Sequence, residues 1–545
     1  MSILKSVVEG LGEVPEAPTE YVFTIPVKDI CDRLGIPVPP AEEMQGVIEA
    51  LLKAATPYMQ GVEVTVAVTP EYIFVKVTLP KSELFNLLEA VPQVQKVEYN
   101  CEVSLPPTDL QQNDIPGASS QAGIMTNLNN MFLGFNKVQA DSRFDMGRNL
   151  IVGVIDTGVG DPSRPQYGYR APQLFVDPED PNSAYRVTRF KDIVGGKTVA
   201  YDDHGHGTAV ASILAGAKKT NQTLNETYIG ALPQATVYVA KVLKYDGTGT
   251  LMQVIQGMSW MMNQIPKPDI VNMSLGVPGA TDGKDSVSVA ADQMWKAGII
   301  LVVAAGNGGQ NNVGNCNKTI GPPACAFEDI KAGATSGARS TPEAVQAWSS
   351  RGPTLDGRKG PELHYMVAPG LSIRVYDGRL SGRSGTSFAS PYTAGHAGVA
   401  VAAQKYLGKP VVNNEIRALM EKYTIPLGYK DKYGVDGWCI EGFGRISPYD
   451  LWNALISGVT PPECNEGDIV IIDKCPDGVT WKTRKICISG HWQTQTQDCP
   501  VQPPPVGIPE IVLTIKLNGN TISQSTSDKP IVVEVDAVPI TTPAA

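Results

Sequence analysis

Leu150-Ile151-Val152-Gly153-Val154-Ile155-Asp156-Thr157-Gly158 decides the fold. Its first six residues are apolar without alternation, which predicts a strand buried on both faces, as in a parallel sheet covered by helices. Asp156 closes that strand at its carboxyl end, the edge at which open parallel sheets place ligands. A second run, Ile299-Ile300-Leu301-Val302-Val303-Ala304-Ala305-Gly306-Asn307, repeats the pattern and ends in an amide.

Arg383-Ser384-Gly385-Thr386-Ser387-Phe388-Ala389-Ser390-Pro391 sets one serine between a glycine turn and a helix of small residues, so Ser387 is a candidate nucleophile. A serine hydroxyl attacks only if a base takes its proton, and that base needs a group to orient it. Asp202-Asp203-His204-Gly205-His206-Gly207-Thr208 offers His206 as the base, just ahead of an apolar helix, and Asp156 as its orienter. Taken singly, an aspartate after a strand is a cap or turn former, and a Gly-Thr-Ser triplet reads as a loop.

The order Asp156, His206, Ser387, set in Ile-Asp-Thr-Gly, His-Gly-Thr and Gly-Thr-Ser-Phe-Ala-Ser-Pro, resembles the subtilisin-like serine proteases, the subtilases. The resemblance covers residues 136 to 460 and ends in Gly442-Phe443-Gly444-Arg445-Ile446-Ser447. It implies an α/β fold with a mostly parallel sheet flanked by helices. Ser387 would attack a peptide carbonyl while His206 accepts its proton and Asp156 holds the imidazole. Asn307 resembles the family's oxyanion asparagine. In the family the base directly precedes Gly-Thr, which leaves His204 as a loop residue; His364, His396 and His491 lack that context and read as structural.

Substrate contacts carry over by the same resemblance. Ile270-Val271-Asn272-Met273-Ser274-Leu275-Gly276 resembles the strand whose edge pairs with a bound peptide, and Asp246-Gly247-Thr248-Gly249 the opposite edge. Ala304, Ala305 and Gly306 resemble one wall of the pocket for the residue before the scissile bond, and Gly321 its base, which predicts a roomy apolar pocket. Cys316 and Cys325 bracket that base and are expected to form a disulfide. The chemistry needs no cofactor. Family members often bind calcium in surface loops, and Lys218 to Tyr228 lies where one such site occurs, although no run of Asp and Glu stands there.

At 545 residues, with 42% hydrophobic content, the chain exceeds what one core organises. A formal charge of −10 argues against nucleic acid as a partner, and no stretch is long and apolar enough to span a bilayer. After a tail of residues 1–19, residues 20–100 follow the order strand, helix, strand, strand, helix, strand, a split βαβ pattern. The strands fall at Tyr21 to Val27, Val62 to Val66, Tyr72 to Val77 and Val94 to Tyr99, and the helices at Ala41 to Ala55 and around Leu84 to Val91. This unit resembles the inhibitory prodomain of many subtilases, which would assist folding, fill the cleft and be cut off by Ser387; a permanent accessory domain is the alternative. Residues 101–135, rich in Pro, Gln, Asn, Ser and Gly, read as an exposed connector holding the maturation site.

Beyond residue 460 the composition changes. Cys464, Cys475, Cys487 and Cys499 in residues 461–500 predict a small unit stapled by two disulfides, with zinc the weaker reading because no close Cys-x-x-Cys pair occurs. Residues 501–545 read as a Pro-rich linker and two strands, Ile511 to Ile515 and Ile531 to Val535. Cys31, Cys101 and Cys439 then leave an odd thiol. Disulfides imply an oxidising compartment, outside the cell or on a virion or cell surface, yet residues 1–20 lack the features of a secretory signal. The resulting expectation is a self-processing serine endopeptidase acting on polypeptides. Its competitors are an aminopeptidase releasing short peptides and a silent pseudoprotease that binds or senses.

Overall fold

The computed structural model describes residues 11, 14–39, 44–55, 62–105, 133–160, 185–221, 226–277, 279–309, 316–335, 343–358, 360, 363–366, 370–373, 380–383, 385–429 and 435–457, and short strands beyond residue 468. The chain divides into two compact units, residues 1–470 with 486–493, and residues 471–485 with 494–545.

Within the first unit, β1 (Thr19–Pro26), β2 (Thr65–Val68), β3 (Tyr72–Leu79) and β4 (Lys96–Tyr99) form an antiparallel sheet in the order β2-β3-β1-β4. Helices α1 (Val27–Leu34), α2 (Gln45–Ala55) and α3 (Lys81–Ala90) accompany it. Period-two alternation splits β1 between two cores. Tyr21, Phe23 and Ile25 pack with Ile73, Val75, Leu84, Leu87 and Val97 in the sheet's own core, whereas Val22 joins the core of the larger part, as do Phe74 and Ala67.

The split βαβ order is present with one added element. α1 was not foreseen because its apolar face is only Val27, Ile30 and Cys31, interleaved with four charged residues. Gly35, in the left-handed region at φ 67°, ends it and returns its N–H to the helix.

The chain continues through β5 (Glu102–Ser104), α4 (Phe135–Gln139), β6 (Ile151–Asp156), β7 (Val187–Asp192), α5 (His206–Ala215), a hairpin of β8 (Lys219–Asn221) and β9 (Glu226–Tyr228), and β10 (Thr236–Lys241). Next come β11 (Thr248–Thr250), α6 (Leu251–Met262), β12 (Ile270–Met273), α7 (Ser286–Lys296), β13 (Ile300–Ala304), β14 (Ile330–Thr335), β15 (Leu363–Met366) and a hairpin of β16 (Gly370–Ile373) and β17 (Leu380–Arg383). α8 (Thr386–Tyr406), α9 (Asn413–Lys422), β18 (Thr424–Ile425), α10 (Val435–Glu441), β19 (Arg445–Ile446) and α11 (Pro448–Ser457) complete it.

Nine strands form the central sheet in the order β18-β19-β15-β14-β13-β12-β6-β10-β7. Pairing is parallel from β7 to β19, and only β18 runs antiparallel. The α/β architecture expected from Leu150 to Ile155 is therefore present. β12 and β13 are buried along their whole length, as strands covered on both faces must be. α5 is buried at every residue, so it is a core helix rather than an amphipathic one.

Two expectations are corrected here. Residues 102–104 are not exposed connector but β5, paired antiparallel with β11. Cys316 is bonded to Cys439, with Cα atoms 5.7 Å apart, and not to Cys325. Cys325 instead turns inward toward the start of α7, where its sulfur lies 2.9 Å from Thr281 Oγ1 and 3.4 Å from Ser288 Oγ. Burial and the nearby Asp285 carboxylate push that thiol up to about 11, so it is held unreactive. Cys31 and Cys101 are also thiols.

Beyond residue 468, β20 (Ile469–Lys474), β21 (Trp481–Ile488) and β22 (His491–Thr496) form a three-stranded sheet in that order. Cys464, Cys475 and Cys499 lie outside the described residues, as does the side chain of Cys487 on β21. A hairpin of β23 (Ile515–Leu517) and β24 (Asn520–Ser523) follows; residues 511–514 and 531–535, read as strands, are outside the described residues. Among the described residues no helix is long and apolar enough to cross a membrane.

Candidate active site

β6 delivers Asp156 at its carboxyl end, and its neighbour β12 delivers Ser274 just beyond its own. α5 begins at His206 beside them. His206 Nδ1 lies 2.8 Å from Asp156 Oδ1, which also accepts the Thr157 N–H at 2.7 Å, and both side chains are buried. The approach is close because residue 207 is glycine. A Cβ there would lie 2.2 Å from the Gly158 carbonyl oxygen.

Asp202 holds this turn together. Its Oδ1 accepts from Thr157 Oγ1 at 2.9 Å and from the Gly205 N–H at 2.7 Å, while Oδ2 accepts the N–H and hydroxyl of Thr208 at 2.8 and 2.6 Å. Complete burial raises a carboxyl, but the donors from Thr208 and Gly205 and the Lys241 charge more than offset it and hold Asp202 below the usual carboxylate range. Lys241, on β10, is itself buried, and its Nζ donates to Thr157 O at 2.8 Å, Leu243 O at 2.6 Å and Asp203 Oδ1 at 2.6 Å. Neither Asp202 nor Lys241 was singled out in the sequence. A carboxylate four residues ahead of a helix-opening histidine was the available signal.

Gly385, at φ 155° and ψ 156°, takes a conformation open only to glycine and starts α8 at Thr386. Ser387 is thus in the first turn, with its hydroxyl donating to the Ser274 carbonyl at 3.2 Å. The Phe388 ring lies 5.3 Å from the His206 ring, which brings the two helix starts together.

Asn307, just beyond β13, is the fourth expected residue. Its Oδ1 accepts both the N–H and the hydroxyl of Thr386, each at 2.9 Å. The amide is thereby oriented, and its buried Nδ2 has no partner among the described residues. A buried, unpaired donor costs about 1–3 kcal/mol, a cost recovered when an acceptor arrives.

Beside it lies a cavity of about 170 Å³ lined by Ser104, Leu275, Gly276, Ala304, Ala305, Gly306, Asn307 and Gly321 among others. Six of the residues expected around the substrate therefore line one cavity. Gly247, Thr248 and Gly249 stand across from them and meet β5: Thr248 pairs with Ser104, Gly249 with Val103, and Gly247 O accepts the Leu105 N–H at 3.2 Å. Ser104 exchanges both backbone hydrogen bonds with Gly276, at 3.2 Å each. The segment after β4 is thus a strand inserted between the two edges.

The model of the subtilase family, Peptidase_S8, matches residues 147–437. The chain is a subtilase. Serine protease AprX of Bacillus subtilis is 33% identical to it over 330 residues, 55% of this chain and 65% of that protein. A thermostable alkaline protease of Halalkalibacterium halodurans is 30% identical over 358 residues, 65% of this chain and 79% of that one. Subtilisin DY of Bacillus licheniformis is 30% identical over 283 residues, 52% and 86%. The matched stretch of the subtilase holds Asp156, His206, Asn307 and Ser387, whereas β1 to β5 lie ahead of it.

His396, in the middle of α8, is fully buried, and desolvation drives it down to about 3, so it is a neutral core residue of the subtilase. His204 lies nearer the chemistry than its reading as a loop residue suggested, with its ring 6.3 Å from that of His206. Among the described residues no group of three or more His, Cys, Asp or Glu side chains gathers to hold a metal.

Proposed function

We propose that this subtilase is a serine endopeptidase. The observation that carries the reading is the meeting of Asp156 with His206, and of Asn307, which lines the cavity, with the start of the Ser387 helix. Ser387 attacks the peptide carbonyl, His206 takes its proton and returns it to the leaving amine, and Asp156 holds the imidazole tautomer. The Asn307 Nδ2 donor and the Ser387 N–H stabilise the tetrahedral oxyanion. For subtilisin itself one such donor supplies roughly 3–4 kcal/mol, and the same order is expected here.

The same proposal makes residues 20–100 a prodomain and β5 its inhibitory tail. Support comes from the backbone pairing of β5 with both cleft edges, which reads main chain rather than side chains. Carboxylates dock the unit: Glu98 accepts the Ser286 N–H at 2.6 Å at the amino end of α7, where the helix dipole favours a negative charge, and Glu71 pairs with Lys296 at 2.5 Å. Maturation then requires a cut between β5 and the catalytic part.

The test is intact mass after a fluorophosphonate probe, on wild type and on Ser387→Ala. A single adduct on the wild-type catalytic fragment, absent in the variant, supports the reading. A folded, processed protein without adduct rejects it in favour of a silent binding module. Cleavage of N-terminally blocked peptides then separates an endopeptidase from an aminopeptidase. Loss of residues 20–100 in wild type but not in Ser387→Ala would support self-processing, and equal processing of both would reject it.

A further inference from the structure

We propose that the bond β5 offers to Ser387 is one the nucleophile does not cut, the prolyl-prolyl bond between Pro106 and Pro107. β5 then stays in the cleft as an uncut inhibitor, and the connector behind it is cut by a second copy of this chain. The inference rests on the peptidase and prodomain readings above.

Ser104 and Gly276 exchange both backbone hydrogen bonds, at 3.2 Å each. In an antiparallel pair such doubly bonded positions recur at every second residue. The next one joins residue 106 to Ser274, and it calls for the N–H of residue 106 to donate to the Ser274 carbonyl. That carbonyl is also the acceptor of the Ser387 hydroxyl, at 3.2 Å. The register therefore brings the carbonyl of residue 106 to the nucleophile and makes the bond after it the one exposed to attack. Residues 106 and 107 are both proline. They lie outside the described residues, and it is the register of β5 that assigns them.

Proline works against cleavage at both positions. At 106 it has no N–H, so the bond that would seat the strand on Ser274 cannot form, and the Ser274 carbonyl is left to hold the Ser387 hydroxyl. At 107 it changes the leaving group. Cleavage joins Ser387 Oγ to the carbonyl carbon of residue 106 and breaks that carbon's bond to the nitrogen of residue 107. The proton that His206 took from Ser387 must reach the departing nitrogen. In Pro107 this nitrogen carries Cδ where other residues carry hydrogen, which crowds the tetrahedral centre and the approach of the imidazole. The strand keeps its remaining bonds, with Thr248 paired to Ser104 and the Leu105 N–H donating to Gly247 O at 3.2 Å. It is held as a substrate is held, without presenting a bond that breaks.

While β5 fills the cleft, the chain behind it has no access to the same Ser387. From Thr108 to Phe132 the sequence holds a single proline, Pro116, so ordinary peptide bonds stand there for the cleft of another molecule. Maturation is then an encounter between two chains.

The experiment follows full-length wild type, Ser387→Ala and the double variant Pro106→Leu/Pro107→Ser by intact mass. Wild type should yield no fragment cut between residues 106 and 107, and its cut between Thr108 and Phe132 should be second order in protein. The double variant should be cut after residue 106 with first-order kinetics. Ser387→Ala, inert alone, should be cut between Thr108 and Phe132 when processed wild type is added. A wild-type fragment beginning at Pro107, first-order processing of wild type, or Ser387→Ala left whole by active, processed wild type overturns the proposal. So does a double variant left uncut after residue 106 although wild type is active. Should no form react with the fluorophosphonate probe, the peptidase reading fails instead, and hydrogen exchange in Ser387→Ala/Pro106→Ala tests the register by itself. The amide restored at position 106 must exchange more slowly than its intrinsic rate, and unprotected exchange overturns the assignment of β5.

Discussion

The carbonyl of Ser387 accepts a hydrogen bond from the hydroxyl of Ser274 at 2.7 Å. In an uninterrupted helix that carbonyl would be served by the N–H four residues on, but residue 391 is proline and has none. The vacancy is filled from the end of β12. Asn272 Nδ2 donates to Ser274 Oγ at 2.9 Å, and Ser390 Oγ donates to Asn272 Oδ1 at 2.6 Å, so the helix is tied to the end of β12 at the nucleophile and three residues beyond it.

Ser274→Ala should therefore lower kcat about five- to tenfold, the effect of about one lost hydrogen bond, with little change in KM. Adding Pro391→Ala returns an N–H to the helix and should recover part of the loss. Steady-state kinetics on the two variants check this. A change confined to KM would show that Ser274 serves binding only.

Asn307→Ala removes the oriented donor and should lower kcat by about 10² to 10³, leaving KM nearly unchanged. Thr386→Val removes one of the two bonds holding Asn307 Oδ1, while the Thr386 N–H keeps the other. Its kcat should fall about tenfold or less, with the pH profile unshifted. A shifted profile would mean that Thr386 acts on His206 instead.

Acid should weaken the fold in two steps. His396 is held neutral, down to about 3, so the unfolded chain binds its proton first and stability falls from about pH 6.5 downward toward that value. Asp202, held below its ordinary range, contributes stability that is complete above about pH 4 and is lost as pH falls further. Chemical denaturation between about pH 7 and 3 should show a flattened upper limb in His396→Leu and a flattened lower limb in Asp202→Asn. Identical curves for all three proteins would refute both assignments.

The disulfide between Cys316 and Cys439 closes a loop across a sequence separation of 123 residues and anchors the segment that carries Thr319, Gly321 and Pro322 along the cavity. Cys439→Ala should cost about 4–5 kcal/mol by chain entropy and raise KM more than it lowers kcat. Denaturant titration and kinetics read the two effects separately. Equal stability of variant and wild type under oxidising conditions would remove the role.

The strands that place the site were readable because they are unbroken apolar runs ending in Asp156 and Asn307, and burial on both faces leaves no other sense for such runs. Motif spacing carried Ser387 and His206. What escaped was the chemistry of support. Lys241, Asp202 and Thr386 look like ordinary polar residues until the fold brings Lys241 to Thr157 and Asp203, Asp202 to Thr157, and Thr386 to Asn307, contacts that join residues tens of positions apart. Cys325 was misread for the opposite reason. Closeness in sequence suggested a partner, but the direction of its side chain, set by packing near α7, sent it elsewhere.

β5 and the cleft edges it meets are parts of one molecule, which makes the strength of their association a matter of concentration. The strand belongs to the same chain as the two edges it pairs with, so on the prodomain reading it would compete for the cleft as an intramolecular species, at an effective concentration in the millimolar range for a short flexible tether. A peptide in solution would then have to exceed that level to displace it. Once the chain between Leu105 and Leu133 is cut, the same strand becomes a separate molecule, and its grip depends on dilution. Onset of activity would then track the volume into which the protein is released as well as the chemistry of the cut.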